Sequence, residues 1–263
     1  METGLTAAER DFYQQHGYLH IKGLLSSSEA ATYREECHRL ADRSGNSDAT
    51  WSSVRSDEQG GRMRLTHCHD VQFYSAAFTR LLVDPRLMRV SQGIIGPNVQ
   101  LHHTKMFIKP PEHGAPFPMH QDYPYFPHEQ HSMIAVIVHF DDAPVEKGCL
   151  RVVPGSHKLG PLESVGQDHH LPEDRYPIDA ALPLPARAGD AIFMSYLLVH
   201  GSGVNRSNEA RTTVLIQMRD PADVPLNERH SSRGQGMMLA GIDPRLSKFE
   251  FEWERDRARA EAG

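Results

Sequence analysis

The residues best suited to chemistry lie between Leu101 and His157, centred on Met119-His120-Gln121-Asp122. A His and an Asp two positions apart on an extended chain point to the same face, because side chains alternate along a strand. An imidazole nitrogen and a carboxylate oxygen are thereby set side by side, two corners of a metal site. Val199-His200-Gly201-Ser202-Gly203 offers a third corner much later in the chain. Two His and one carboxylate on one face of a ferrous ion leave positions open for other molecules, the arrangement of non-haem iron oxygenases. Spacing alone does not choose the pair. With 17 His in 263 residues a second one, His139-Phe140-Asp141, also occurs.

Context separates the two pairs. Arg211 stands eleven residues beyond His200 and opens the run Arg211-Thr212-Thr213-Val214-Leu215-Ile216. The planar fork of arginine matches a carboxylate bidentately. On the inward face of a strand it could hold a dicarboxylate beside the metal.

These stretches carry a family resemblance. Lys109-Pro110-Pro111, the His120–Asp122 triplet, Gly148-Cys149-Leu150, Pro154-Gly155-Ser156-His157-Lys158 and the run from His200 to Arg211 follow one another in order over residues 99–218. Nearer the start, Phe12, Gly17-Tyr18 and a helix start over Leu24–Glu29 are also similar. In this the chain resembles the phytanoyl-CoA dioxygenase family of Fe(II)- and 2-oxoglutarate-dependent oxygenases. The resemblance implies that His120, Asp122 and His200 bind iron and that Arg211 binds the far carboxylate of 2-oxoglutarate, with O2 as the other co-substrate. Ser202, within the same run, and Lys105 are expected beside the co-substrate, although Lys105 reads equally as a lysine snorkelling at the rim. Where the family often has an aromatic residue and an Asn-Gly, this chain has Ile137 and Lys147-Gly148. The wall of the co-substrate pocket is therefore expected to differ.

Positioning these residues requires strands. On the stretch Leu101–Ile108, alternation puts Leu101, His103, Lys105 and Phe107 on one face. Phe117–His131 surrounds the His-Asp pair with aromatic residues and prolines, and Gln121, Tyr123, Tyr125 and Phe126 are the expected substrate-pocket residues. Ser132–Phe140 and Cys149–Val153 are apolar runs, and Ala191–Val199 delivers His200. His157 reads as structural. Gly160–Pro185 reads as a long loop of the kind used as lids.

Ahead of these, residues 5–16 read as a helix with a Thr6/Glu9 capping box and a stop at Gly17, and Tyr18–Leu25 as a short strand. Ser26 and Glu29 repeat the box before a second helix. Gly45–Arg62 reads as a surface loop, His67-Cys68-His69-Asp70 as a solvated or supporting cluster, and Asp84-Pro85 as a helix start. Asp220–Gly241 reads as loop and residues 244–260 as a charged helical end.

The expected architecture is mainly β with helical additions: a double-stranded β-helix, or jelly-roll barrel, buttressed by N-terminal helices. One domain is expected over 1–263, with a helical buttress and loops at 1–95, a catalytic barrel core at 99–220 and a C-terminal loop and helix at 221–263. A net charge of −6 without a Lys/Arg stripe argues against a nucleic-acid partner. No apolar run approaches the length of a membrane span. Three cysteines, 37, 68 and 149, make no disulfide framework, and a reducing cytoplasmic setting, as monomer or homodimer, is expected. The functional expectation is hydroxylation, or desaturation or ring closure, at an unactivated C–H bond of a small-molecule substrate. Three rivals stand beside it: an acyl-CoA hydroxylase, a catalytically silent metal-binding barrel, and a zinc hydrolase on the same scaffold.

Overall fold

The computed structural model describes residues 4–43, 52–56, 62–111, 116–166, 169–227 and 232–245. The expected helical end over 244–260 lies outside them, apart from its first two residues.

Helix α1, Ala7–His16, begins where the sequence signals it. The Thr6 side chain accepts from the Glu9 N–H while the Glu9 carboxylate takes the Thr6 N–H, and the Gly17 N–H closes on the Tyr13 carbonyl. Strand β1 covers Tyr18–Ile21 and helix α2 Ser27–Arg43, the latter entered through a second box between Ser26 and Glu29. Strands β2, Ser52–Ser56, and β3, Arg62–His69, form an antiparallel hairpin. Part of the expected 45–62 loop is thus strand, its Ser-rich composition overridden by pairing with β3. Helices α3, Ala76–Leu82, and α4, Pro85–Ile95, are capped by Ser75 and Asp84.

The remaining strands are β4 Val99–Lys109, β5 Phe117–His120, β6 Ile134–His139, β7 Leu150–Val152, β8 Leu182–Leu184, β9 Ala191–Ser195, β10 His200–Ser202, β11 Arg211–Arg219 and β12 Met238–Ala240. They make two antiparallel sheets. The larger runs β1-β9-β6-β11-β4-β3-β2 with β12 added against β4, and the smaller runs β5-β10-β7-β8. This is the expected jelly-roll. The strand β12 inside the expected 220–241 loop is a correction: Met238 pairs with Gln100 and Ala240 with Val99, covering the edge of β4.

Period-two alternation sorts the central strands. Ile134, Val136 and Val138 of β6, Ala191 and Phe193 of β9 and Val214, Ile216 and Met218 of β11 face outward into a core shared with Cys37 and Leu40 of α2, Phe78 of α3 and Leu87 of α4. Ala135, Ile192 and Met194 face inward with Leu150, Val152 and Leu184 of the small sheet. Both faces are covered, which is why β6 reads as a continuous apolar run.

One strand breaks the alternation. On β11, Gln217 pairs with His103 but the next residue, Met218, pairs with Leu101. His102 is the extra residue of a β-bulge. Leu101 therefore turns outward into the helix-side core, and of the four residues expected on one face only His103, Lys105 and Phe107 reach the interior.

The 160–185 segment is fastened to β5. The Leu171 N–H donates to the Met119 carbonyl at 2.9 Å, His170 bridges to His120, and Leu171 and Ala181 pack with Met119 and Val199. It covers the free edge of the small sheet.

Candidate active site

The small sheet brings the two histidines together. His120 is the last residue of β5, His200 the first of β10, and they are direct cross-strand partners. The close approach depends on Gly201. A Cβ there would meet the Phe117 carbonyl oxygen at 2.7 Å and the Met119 Sδ at 2.8 Å, so only glycine lets β10 lie this near β5. After His120 the chain leaves the strand, and Asp122 swings under the two rings. Its Oδ1 lies 3.6 Å from His120 Nε2 and 3.7 Å from His200 Nε2. One ligand atom from each residue lies within 4.8 Å of the others, the sole such His/Cys/Asp/Glu group found among the described residues.

Hydrogen bonds aim the ligand atoms. His120 Nδ1–H donates to the Pro118 carbonyl at 2.7 Å and His200 Nδ1–H to the Leu198 carbonyl at 2.9 Å. A carbonyl only accepts, so the proton sits on Nδ1 and the Nε2 lone pair is left for a metal. Gln217 Nε2 donates to Asp122 Oδ2 at 2.7 Å, so Oδ1 is the oxygen turned to the site. Burial would raise the Asp122 pKa, but His200 and the hydrogen bond and charge of His120 outweigh it, and the group stays below its ordinary value. Burial, with His120 beside it, lowers His200 to about 4. His200 is thus a neutral imidazole and Asp122 an ionised carboxylate, the forms in which such groups bind a divalent ion.

These three residues open onto a cavity of about 420 Å³ between the sheets, within the range of roughly 300–1,000 Å³ typical of small-ligand sites. Arg211, at the start of β11, lines it and is buried. One of its Nη1 hydrogens goes to the Gly148 carbonyl, while Nε has no partner. Among the described residues no carboxylate pairs with it. Burial draws its pKa down to about 10. A buried cation without a counter-ion is costly, and an incoming carboxylate would remove that cost. Gly148 contributes its carbonyl because it is glycine: φ is +65°, and a Cβ would stand 2.2 Å from the Gly203 carbonyl oxygen. Ser202 lines the cavity and accepts from Lys109 Nζ at 2.8 Å. Lys109 also donates to the Gly203 carbonyl at 2.8 Å, pinning β10 from behind.

The other expected residues divide. Lys105, Tyr125 and Phe126 line the cavity; the Lys105 ammonium lies 5.0 Å from the centre of the Phe107 ring. Gln121 and Tyr123 do not. Gln121 is buried and its amide is spent on the Gly160 and Leu197 carbonyls and the Leu162 N–H. Tyr123 packs with Met133 and Tyr196. Gln121 lies between the two ligand residues and so faces away from them, and the 3-10 turn over Tyr123–Tyr125 redirects Tyr123. Of the second H-x-D pair, His139 lines the cavity, but Asp141 points away, accepting from Arg34 Nε and the Thr212 N–H. His69 also lines the cavity, whereas Asp70 accepts from Ser232 Oγ and the Arg233 N–H outside it. His157 serves packing, its Nε2 3.2 Å from the Gln14 carbonyl.

Sequence reading missed Gln217, Lys109, His170 and the role of His139. The first two carry a signal: alternation from Arg211 along β11 and from His103 along β4 puts both on the inner face. His170 carries none, because it arrives on an irregular segment.

A jelly-roll with two histidines and an aspartate clustered at one cavity, and a buried arginine lining the same cavity, is the scaffold of the Fe(II)- and 2-oxoglutarate-dependent oxygenases, and this protein is one of them. The chain belongs to the phytanoyl-CoA dioxygenase (PhyH) family, whose model matches residues 13–213. It is 29% identical over 231 residues to the peroxisomal phytanoyl-CoA dioxygenase of Rattus norvegicus, covering 80% of this chain and 67% of that one. It is 25% identical over 234 residues to the ectoine dioxygenase of Streptomyces avermitilis, covering 81% of this chain and 78% of the relative. Among solved structures, the epimerase SnoN in complex with Fe3+, alpha ketoglutarate and nogalamycin RO superposes with a TM-score of 0.69 at 25% identity, covering 90% of this chain and 96% of that one.

Proposed function

We propose that His120, Asp122 and His200 hold Fe(II), that Arg211 anchors 2-oxoglutarate with Ser202 beside it, and that the enzyme oxidises an unactivated C–H bond of a small organic metabolite. One observation carries the reading: the His-Asp-His cluster and a buried, counter-ion-free arginine open onto the same cavity. When bound, iron and 2-oxoglutarate supply O2 activation and C–H oxidation, with 2-oxoglutarate converted to succinate and CO2. The chain contributes geometry. Pro118 and Leu198 carbonyls fix the tautomers of the two histidines, and Gln217 fixes the oxygen that Asp122 presents. Arg211 sets the reach of the co-substrate from the far end. Phe107, Phe117, Tyr125 and Phe126 wall the cavity and exclude water around the reacting bond.

The mixed wall favours a small, partly polar substrate. Beside the aromatic rings stand His69, His103, Lys105 and His170. Burial, with His69 next to it, lowers His103 to about 4, so it meets a substrate as a neutral hydrogen-bonding group. A second reading, hydroxylation of an acyl-CoA, draws on the rat relative, which is named for that activity. Catalytic silence is disfavoured by the complete donor set, and zinc hydrolysis by an arginine it would leave without purpose. The three cysteines are free and buried, in keeping with a reducing, cytoplasmic location. No helix among the described residues is long and apolar enough to cross a membrane. We place the working form as a monomer or homodimer, with no nucleic-acid partner.

The test is turnover with Fe(II), 2-oxoglutarate and O2 against small polar metabolites in parallel with branched acyl-CoAs, scoring succinate and oxidised product together. Coupled product from the first group supports the reading. Coupled product from acyl-CoAs alone replaces it with the second.

A further inference from the structure

Directly behind the Arg211 side of the cavity stands a histidine that neither the metal nor the fold uses. His139 closes β6, opposite Thr213 of β11, and two residues from Thr213 on the same inner face is Arg211. Its backbone is fully engaged: the N–H donates to the Asp190 carbonyl and the carbonyl accepts from the Gly189 N–H. Its ring is not. The side chain is 1% exposed and lines the cavity, yet neither Nδ1 nor Nε2 has a hydrogen-bond partner. Arg211 Nε is in the same condition. A buried polar group left unpaired costs roughly 1–3 kcal/mol and needs an explanation. Two such donors facing one cavity from neighbouring strands call for one acceptor with several lone pairs, and a carboxylate offers about four.

We propose that His139 is a second co-substrate-binding residue, donating a ring N–H to the distal carboxylate of 2-oxoglutarate alongside the Arg211 fork. This rests on the reading of Arg211 given above and adds to it a determinant of dicarboxylate specificity. The surroundings of the ring disfavour a second cation at this position. Burial and the positive charge of Arg211 hold the imidazole down at about 3, with His20 acting in the same sense and Asp190 against it. The ring is therefore a neutral donor that can approach Arg211 without repulsion. It also accounts for the wall of the pocket. Ile137, two residues before His139, stands where the resemblance led us to expect a bulky aromatic ring. With the smaller residue there, His139 supplies the polar contact.

The experiment is anaerobic calorimetry on the Fe(II)-loaded protein with two ligands: 2-oxoglutarate, and 2-oxobutyrate, which keeps the oxo-acid end and lacks the distal carboxylate. His139→Leu removes the donor at similar bulk, and His139→Gln keeps a donor. A hydrogen bond to a charged group corresponds to a loss of about tenfold or more in affinity. His139→Leu should weaken 2-oxoglutarate by that factor and leave 2-oxobutyrate within about twofold, and His139→Gln should recover most of the difference. Equal weakening of both ligands, or no weakening of either, overturns the assignment. If unaltered protein binds no 2-oxoglutarate, the reading beneath it falls as well. Should His139→Leu not fold, ¹⁵N-histidine spectra of unaltered Zn(II)-loaded protein carry the test: 2-oxoglutarate should shift one buried imidazole N–H that 2-oxobutyrate leaves in place. Identical spectra with the two ligands overturn the proposal.

Discussion

Replacing Arg211 by Met keeps most of the side-chain length and removes the charge and the fork. In the folded protein Arg211 is buried, carries no carboxylate partner among the described residues and has a free Nε. Its one fixed bond, to the Gly148 carbonyl, leaves the rest of the guanidinium for an anion. Two effects follow. Without ligand, losing an uncompensated buried cation should raise stability or leave it unchanged, because the desolvation cost disappears while only one hydrogen bond is lost. With ligand, the distal carboxylate of 2-oxoglutarate loses its charged partner in a partly dry cavity, a penalty of about 3 kcal/mol, or roughly a hundredfold in Kd. Arg211→Lys should recover only part, since an ammonium cannot present two parallel donors. Calorimetry on the anaerobic Fe(II) protein gives the affinity, and thermal unfolding of the metal-free protein gives the stability. A folded Arg211→Met protein with unchanged 2-oxoglutarate affinity would refute the reasoning and turn attention to Lys105 as the anchor.

Other expectations follow from the same geometry. Gln217→Leu frees Asp122 Oδ2, so Fe(II) affinity should fall about 10- to 100-fold without loss of fold; equilibrium dialysis against Fe(II) decides it. Gly201→Ala forces β5 and β10 apart against the Phe117 carbonyl and Met119; it should cost about 1–3 kcal/mol of stability and lower iron affinity although no ligand is altered, and a stable variant with wild-type iron affinity contradicts the role given to Gly201. His139 titrates at about 3 when folded against about 6.5 when unfolded. The unfolded chain therefore binds the extra proton between those values, and stability falls as pH drops through that window. His139→Gln should flatten the slope of unfolding free energy against pH there by up to about 1.4 kcal/mol per pH unit, measured by urea unfolding of metal-free protein at a series of pH values.

Local signals read well from the chain alone. Both capping boxes and the Asp84-Pro85 start depend on neighbours in sequence, and they appear as written. His120, Asp122 and His200 were legible because an H-x-D at a strand end and a distal His follow one another within a recognisable order of motifs. What failed depended on the partner strand or on the loss of periodicity. The His102 bulge is a matter of register with β11 and inverted the expected face of Leu101. Gln121, between the two ligand residues, faces away from the cavity, and the turn after Asp122 took Tyr123 out of it. Strand β2 sits in a Ser-rich stretch whose composition says loop. His139 was set aside in the sequence as half of a second metal pair; only the fold shows its ring turned to the cavity and Asp141 turned away.

The central claim is which residues hold the metal, and the two H-x-D pairs of this chain provide the control. The measurement is Fe(II) bound per chain under anaerobic conditions, by equilibrium dialysis, for the unaltered protein and for His120→Ala, His200→Ala and His139→Gln, each first shown to be folded by circular dichroism. The account predicts about one Fe(II) per chain in the unaltered protein and in His139→Gln, and none in His120→Ala or His200→Ala. A folded His200→Ala that keeps its iron, or a His139→Gln that loses it, would contradict the account.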